Sequence, residues 1–252
     1  MQMSMPAFRD AGQQDHAIFA MWWLMLAAAR VDLATYTNEP FIDFFFNWHA
    51  HYTKLGLPYN LTVYALDDAA FVHLKREGIG AVRWSATHRK ALRWGTKDYK
   101  RFVNEKPSIL RHHAKFMAKG DVLVWFDADS VWFSDPLAHL GSCSIATQME
   151  KTPNIYDYCT GFIMMRISEA VDSVFKRWLD TLSVTMRKGQ DEQRAFNLIA
   201  PIYKPCQLPS EKFPSGNYFN RLPKDMVIFH NNFVAGHERK LERFKQKGFW
   251  WL

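Results

Sequence analysis

Cysteine is scarce in this chain, with three in 252 residues. Cys143, Cys159 and Cys206 are odd in number and far apart, so they offer neither a disulfide framework nor a zinc spacing. Long hydrophobic runs are missing too. The longest, Ala17 to Ala29, holds 13 apolar residues, short of the roughly 20 that cross a bilayer, so no transmembrane segment is expected. It ends in Ala27-Ala28-Ala29 like a signal peptide. However, Asp10 and Asp15 offset Arg9 ahead of it, so it lacks the basic start such a leader carries. A buried first helix from about Ala7 to Arg30 is the expectation. There is no internal repeat. No run of one charge sign stands out as a nucleic-acid stripe. Lys and Arg number 32 against 25 Asp and Glu, giving a net charge of +7 and a pI of about 9.3. The excess is spread out, densest from Arg83 to Arg101, and suits an anionic ligand. At 48% hydrophobic and 15% aromatic residues the chain is not disordered. Its length suits one α/β domain over 1–252.

What is present is a strand built to deliver two carboxylates. Val122-Leu123-Val124-Trp125-Phe126 runs directly into Asp127-Ala128-Asp129. Carboxylates one residue apart at a strand end can share a hard cation, and oxygen ligands suit magnesium, manganese or calcium. A second apolar run, Met226–Phe229, ends in His230-Asn231-Asn232, followed by Gly236 and His237-Glu238-Arg239-Lys240. His230 can complete the cation's ligands. A glycine turn and a lysine suit a phosphate.

The remaining sequence alternates. Strands are expected at Val31–Thr37, Leu61–Leu66, Val122–Phe126, Ser144–Gln148, Thr160–Arg166 and Met226–Phe229. Helices are expected at Phe41–Leu55, Asp68–Glu77, Ser108–Lys119, Ser168–Met186 and Glu192–Ile199. This pattern predicts a Rossmann-like, mostly parallel central sheet with helices on both faces. Ligands then sit at the strands' carboxyl ends, which gathers Thr37, Asn38, Asp67, Asp127, Asp129 and His230 on one edge. Trp84 to Lys106 has no periodicity and reads as a long loop.

The pieces Thr35-Tyr36-Thr37-Asn38, Ala65-Leu66-Asp67-Asp68, Asp127-Ala128-Asp129-Ser130-Val131-Trp132, Thr160-Gly161-Phe162, Glu192-Gln193 and His230-Asn231-Asn232 come in a specific order. In that order the chain resembles the nucleotide-diphospho-sugar transferases of glycosyltransferase family 77, which have the GT-A fold. The resemblance runs from about Val31 to the C-terminus. It implies a metal-dependent, retaining glycosyltransferase using manganese or magnesium. The implied donor is a nucleotide sugar, UDP-linked, and the acceptor a carbohydrate or glycoconjugate hydroxyl. It implies metal ligation by Asp127, Asp129 and His230, and donor contacts from Thr37, Asn38, Asp67, Arg111, Asp127, Ala128, Gly161, Gly236 and Lys240. Gln193 is placed beside the anomeric carbon, with Glu192 and Asp191 as carboxylates that orient hydroxyls or steady positive charge. The family usually carries an asparagine two residues before the glycine at Gly161; this chain has Cys159.

Plainer readings stand beside these. Asp67 can be a helix N-cap, Arg111 a solvated residue, Asp191 and Glu192 acids favourable to a helix dipole. Phe213–Phe219 is a turn-rich aromatic segment that could border the acceptor groove. Two other functions fit less of the chain. One is a haloacid-dehalogenase-like phosphatase with Asp127 as nucleophile, which expects its D-x-D on the first strand. The other is a non-catalytic nucleotide-sugar-binding domain. A complete chain would be cytoplasmic; one shorn of an anchor would be Golgi-luminal.

Overall fold

The computed structural model describes residues 29–86, 88, 95–150 and 157–252. The helix expected over Ala7–Arg30 lies outside them except for its last two residues. Val31–Leu252 forms one compact unit. Its elements are β1 (Val31–Thr37), α1 (Ile42–Leu55), β2 (Asn60–Ala65), α2 (Asp68–Arg76), β3 (Ala81–Arg83), α3 (Lys97–Val103), α4 (Lys106–Ala114), β4 (Val122–Phe126), β5 (Ser130–Trp132), β6 (Ile145–Met149), β7 (Tyr158–Arg166), α5 (Glu169–Arg187), α6 (Glu192–Tyr203), β8 (Cys206–Gln207), β9 (Ile228–His230) and α7 (His237–Gln246).

Among the described residues seven strands make the main sheet, in the order β3-β2-β1-β4-β7-β6-β8. Only β7 runs against its neighbours, pairing antiparallel with both β4 and β6. Side chains alternate across each strand and so divide between two cores. Ala34, Tyr36, Leu123 and Trp125 pack with residues of α4, α5 and α6. Leu33, Val63, Val124 and Phe126 pack with residues of α1 and α2. Helices therefore cover both faces, as the alternation of elements predicts. Trp48 of α1 stacks on Phe126 with ring centroids 3.9 Å apart. Burying an aromatic of this size stabilises by about 2–3 kcal/mol, and here it fixes the last residue before Asp127.

Strands β1 and β4 are parallel neighbours, with Ala34 opposite Trp125. Their carboxyl ends lie side by side, which places Thr37 and Asp127 on one sheet edge.

Several expectations need correction. The strand expected at Met226–Phe229 is β9, and it lies outside the main sheet. It pairs antiparallel with β5, placing Ser130 opposite His230. The chain leaving Asp129 immediately forms a short strand that needs a partner, and β9 supplies one. The loop expected over Trp84–Lys106 contains α3, whose N-terminus is capped by Thr96 Oγ1 accepting from the Tyr99 N–H at 3.2 Å. The basic stretch from His237 is the helix α7, anchored by Phe244, fully buried among Phe44, Val131 and Phe229. The cysteines do form a disulfide. Cys143 and Cys206 are bonded across 63 residues of sequence, with Cα atoms 6.2 Å apart. Sequence spacing could not show this, because their proximity comes from β8 pairing with β6, Ala146 opposite Cys206.

Candidate active site

The turn after β4 is pinned at both ends. The Asp127 N–H donates to the Gly161 carbonyl at 2.7 Å, and the Asn231 N–H to the Asp129 carbonyl at 2.9 Å. The second bond ties the D-x-D turn to the residue after His230. His230 Nε2 then lies 3.4 Å from Asp129 Oδ1 and 3.9 Å from Asp127 Oδ2. One ligand atom from each of Asp127, Asp129 and His230 falls within 4.8 Å of the others, a spacing that can hold a metal ion. The donors are two carboxylates and an imidazole with no thiolate, a set that suits manganese or magnesium.

Electrostatics here are strong because the groups are buried. Burial alone would raise the pKa of Asp129, but the Lys240 and His230 charges outweigh it and hold the carboxyl well below the usual range. Burial would lower His230, yet Asp129 drives it up to about 10. The Lys240 ammonium donates to Asp129 Oδ2 and, at 3.2 Å, to the Asn231 carbonyl. On its other side the His230 ring lies against the backbone of Gly161. Its Nδ1 is 3.1 Å from Gln148 Oε1 and 3.6 Å from Cys159 Sγ.

A second group gathers at the start of α6. Asp191 caps the helix, accepting from the Arg194 N–H at 3.1 Å. Glu192 is buried and pairs with Lys106 Nζ at 3.0 Å. Lys106 is buried as well and reaches Asp127 Oδ1 at 3.2 Å. Burial disfavours its charge, but Asp127 and Glu192 more than compensate and keep it an ammonium. Glu192 is pushed up to about 7 by burial, with Lys106 opposing. Thr160 Oγ1 donates to the Glu192 carboxyl at 2.9 Å, and the Thr160 N–H to Gln193 Oε1 at 3.1 Å. Lys106 thus joins the D-x-D group to the α6 group through one buried cation. Both groups line one cavity of about 520 Å³.

A family model described as nucleotide-diphospho-sugar transferase matches residues 57–244. The chain belongs to this family.

Two curated relatives from Arabidopsis thaliana and Dictyostelium discoideum bear comparison with this transferase. It is 23% identical to the Arabidopsis UDP-D-xylose:L-fucose alpha-1,3-D-xylosyltransferase, over 84% of this chain and 67% of that protein. It is 25% identical to the Dictyostelium UDP-galactose:fucoside alpha-3-galactosyltransferase, over 63% of this chain and 29% of that one. Among solved structures, a glycosyltransferase involved in glycosylation of the major capsid of PBCV-1 superposes with a TM-score of 0.59. It is 9% identical, over 87% of this chain and 99% of that one. The galactosyltransferase LgtC, in complex with donor and acceptor sugar analogs, superposes at 0.52. It is 12% identical, over 85% and 95% of the two chains. The transferase has the GT-A fold these share.

Most of the expected site residues meet in the cavity. Thr37, Asp127, Ala128, Asp129, Asp191, Glu192, Gln193, His230, Gly236 and Lys240 all line it. Gly236 has φ +89 and begins α7, so its conformation is one that side chains rarely adopt. Four expected residues do not line it. Asn38 is buried and donates to the His88 carbonyl at 2.8 Å. Asp67 is the N-cap of α2, accepting from Ala70 N–H at 2.7 Å and Glu39 N–H at 3.0 Å. Arg111 faces Asp172 of α5 at 4.0 Å. Gly161 makes room for the His230 ring. Phe213, in the aromatic segment offered as an acceptor border, is fully buried and stacks on Phe162.

Sequence reasoning missed Lys106, Gln148, Thr160 and Phe233. Phe233 lines the cavity, is 46% exposed and has a left-handed backbone, φ 56. For a bulky residue that conformation is uncommon, and such outliers cluster at functional sites.

Proposed function

We propose that this transferase moves a sugar from a UDP-sugar to a hydroxyl of a carbohydrate acceptor, with retention of configuration, using manganese or magnesium. The observation that carries the reading is the meeting of two groups in one cavity: Asp127, Asp129 and His230, and Asp191, Glu192 and Gln193.

Asp127, Asp129 and His230 would hold the cation, which when bound offsets charge developing on the departing nucleoside diphosphate. Lys240, already at Asp129, supplies a second positive charge on the same edge. The Gly236 turn brings backbone close to the phosphates, and Thr37 lies at the nucleoside end with Tyr36 and Phe41. Glu192 and Gln193 face the sugar. Glu192, held partly protonated by burial, can bond a hydroxyl as donor or acceptor; Gln193 lies where positive charge grows on the anomeric carbon. Phe233 offers an aromatic face at the rim for an acceptor ring. The relatives act from UDP-D-xylose on L-fucose and from UDP-galactose on a fucoside, which supports a UDP donor and a fucoside acceptor. The chain spans about two thirds of the Arabidopsis relative. The Cys143–Cys206 disulfide supports an oxidising compartment, such as the Golgi lumen.

The test is incubation with manganese, UDP-xylose or UDP-galactose, and p-nitrophenyl α-L-fucoside. UDP release with a new α-linked disaccharide, lost on chelation, is the expected result. Binding of the UDP-sugar with neither transfer nor hydrolysis would leave a non-catalytic nucleotide-sugar-binding domain instead.

A further inference from the structure

We infer that Gln148 is a positioning residue for the metal group: it holds the His230 ring with its proton on Nδ1 and Nε2 turned to the two aspartates. The inference rests on the metal reading above, and follows from which atoms can donate.

Gln148 sits on β6 and is fully buried. Its Nε2 lies 3.0 Å from the Phe213 carbonyl and 3.0 Å from the Pro214 carbonyl. Carbonyl oxygens only accept, so the amide NH₂ must point at them and give one hydrogen to each. That fixes the orientation of the amide and leaves Oε1 toward His230, 3.1 Å from Nδ1. An amide oxygen also only accepts. The Nδ1 atom must therefore carry the hydrogen between them. In the neutral ring, Nε2 is then the atom with the lone pair. Nε2 is also the atom nearest Asp129 and Asp127, at 3.4 and 3.9 Å.

The other polar group near Nδ1 is the Cys159 thiol, at 3.6 Å. Sulfur is a weak partner, and it also takes the Asn232 side-chain N–H at 3.6 Å. Gln148 is the stronger and better oriented neighbour. The same turn holds the histidine twice over, because the Pro214 carbonyl that accepts from Gln148 also accepts from the His230 backbone N–H at 3.2 Å. Backbone and ring are referred to one fixed point. A histidine that ligates a metal usually donates its second ring N–H to such a partner, and loss of the partner typically weakens metal affinity about 10- to 100-fold.

The test measures manganese affinity in the presence of UDP by the electron paramagnetic resonance of free Mn²⁺, for the whole chain and for Gln148→Met. The substitution keeps the length and removes the acceptor. Binding weaker by about 10- to 100-fold is expected, with UDP alone unaffected. Unchanged manganese affinity in Gln148→Met, where wild type binds and His230→Ala does not, overturns the inference and leaves the metal reading standing. Absence of manganese binding by the wild type overturns both. A second measurement needs no folded variant: long-range ¹H–¹⁵N spectra of the wild type with UDP and diamagnetic Mg²⁺. A His230 ring protonated at Nδ1 alone supports the inference; one protonated at Nε2 alone overturns it.

Discussion

A Cβ atom at Gly161 would lie 2.7 Å from Nδ1 of His230 and 2.9 Å from Nε2, so the imidazole rests on bare backbone. The same residue's carbonyl accepts the Asp127 N–H at 2.7 Å. One glycine therefore spaces the histidine from β7 and anchors the first aspartate. Gly161→Ala should push the ring off its position. Overpacking of this kind costs about 1–3 kcal/mol, and manganese affinity should fall at least about tenfold, as for loss of a ligand-orienting partner. A thermal melt beside manganese titration checks it; undiminished affinity would mean that the ring position is unimportant.

Lys106 and Glu192 give a pH prediction with a definite sign. Burial raises the Glu192 pKa from 4.5 to about 7, with Lys106 opposing. The folded chain thus holds this proton more tightly than the unfolded one. The associated stability is present below about 4.5 and is lost as pH rises through about 7. In Lys106→Met the opposing cation is gone, so the midpoint should move above that of wild type. Carboxyl ¹³C titration of Glu192 in metal-free protein reads it directly. A lower midpoint would contradict the ion pair.

Asp129 and Gln193 should separate by kinetics. Asp129→Asn should weaken UDP–manganese binding and lower transfer by about 100-fold or more, equivalent to roughly 3 kcal/mol. Gln193→Ala should lower turnover while leaving UDP affinity within about twofold, as expected of a group acting where charge develops. Loss of UDP affinity in Gln193→Ala would move the glutamine away from the sugar.

Phe233→Ala should raise the KM for p-nitrophenyl α-L-fucoside several-fold, because an aromatic contact contributes about 1 kcal/mol. UDP-sugar hydrolysis without acceptor should stay at the wild-type rate, and Phe233→Tyr should restore the KM. A change in hydrolysis instead would place the ring over the donor.

Removing the disulfide by Cys143→Ser with Cys206→Ser frees a loop of 63 residues. The chain-entropy cost is about 4 kcal/mol, so the melting temperature should drop by about 10 °C. Activity at 25 °C should remain. A drop of only about 1 °C would show that β8 is held by its strand pairing alone.

The D-x-D strand was legible because Val122–Phe126 is a short, Val-rich run, apolar throughout, that ends abruptly in acids, as suits a central strand buried on both faces. His230 was legible as a strand-end residue, but not its sheet: nothing in Met226–Phe229 says that its partner is Ser130–Trp132. Lys106 was hidden because it closes the polar, basic stretch from Trp84 that reads as a loop; only the tertiary approach of Asp127 and Glu192 makes its burial possible. Gln148 was hidden for a similar reason, an amide in a strand having no pattern that marks its partners. Asp67 turned on a local choice, and the backbone N–H groups of Glu39 and Ala70 claimed it.

The main sheet ends in very short strands on both sides, three residues in β3 and two in β8. Pro205 and Pro209 flank β8 and cannot donate to an added strand. Unpaired edges are where separate molecules zip together, and short or proline-flanked edges deny them a template. Among the described residues the main sheet therefore has little open edge to offer a neighbouring molecule, and the covalent link at Cys206 keeps the β8 flank from peeling away to create one.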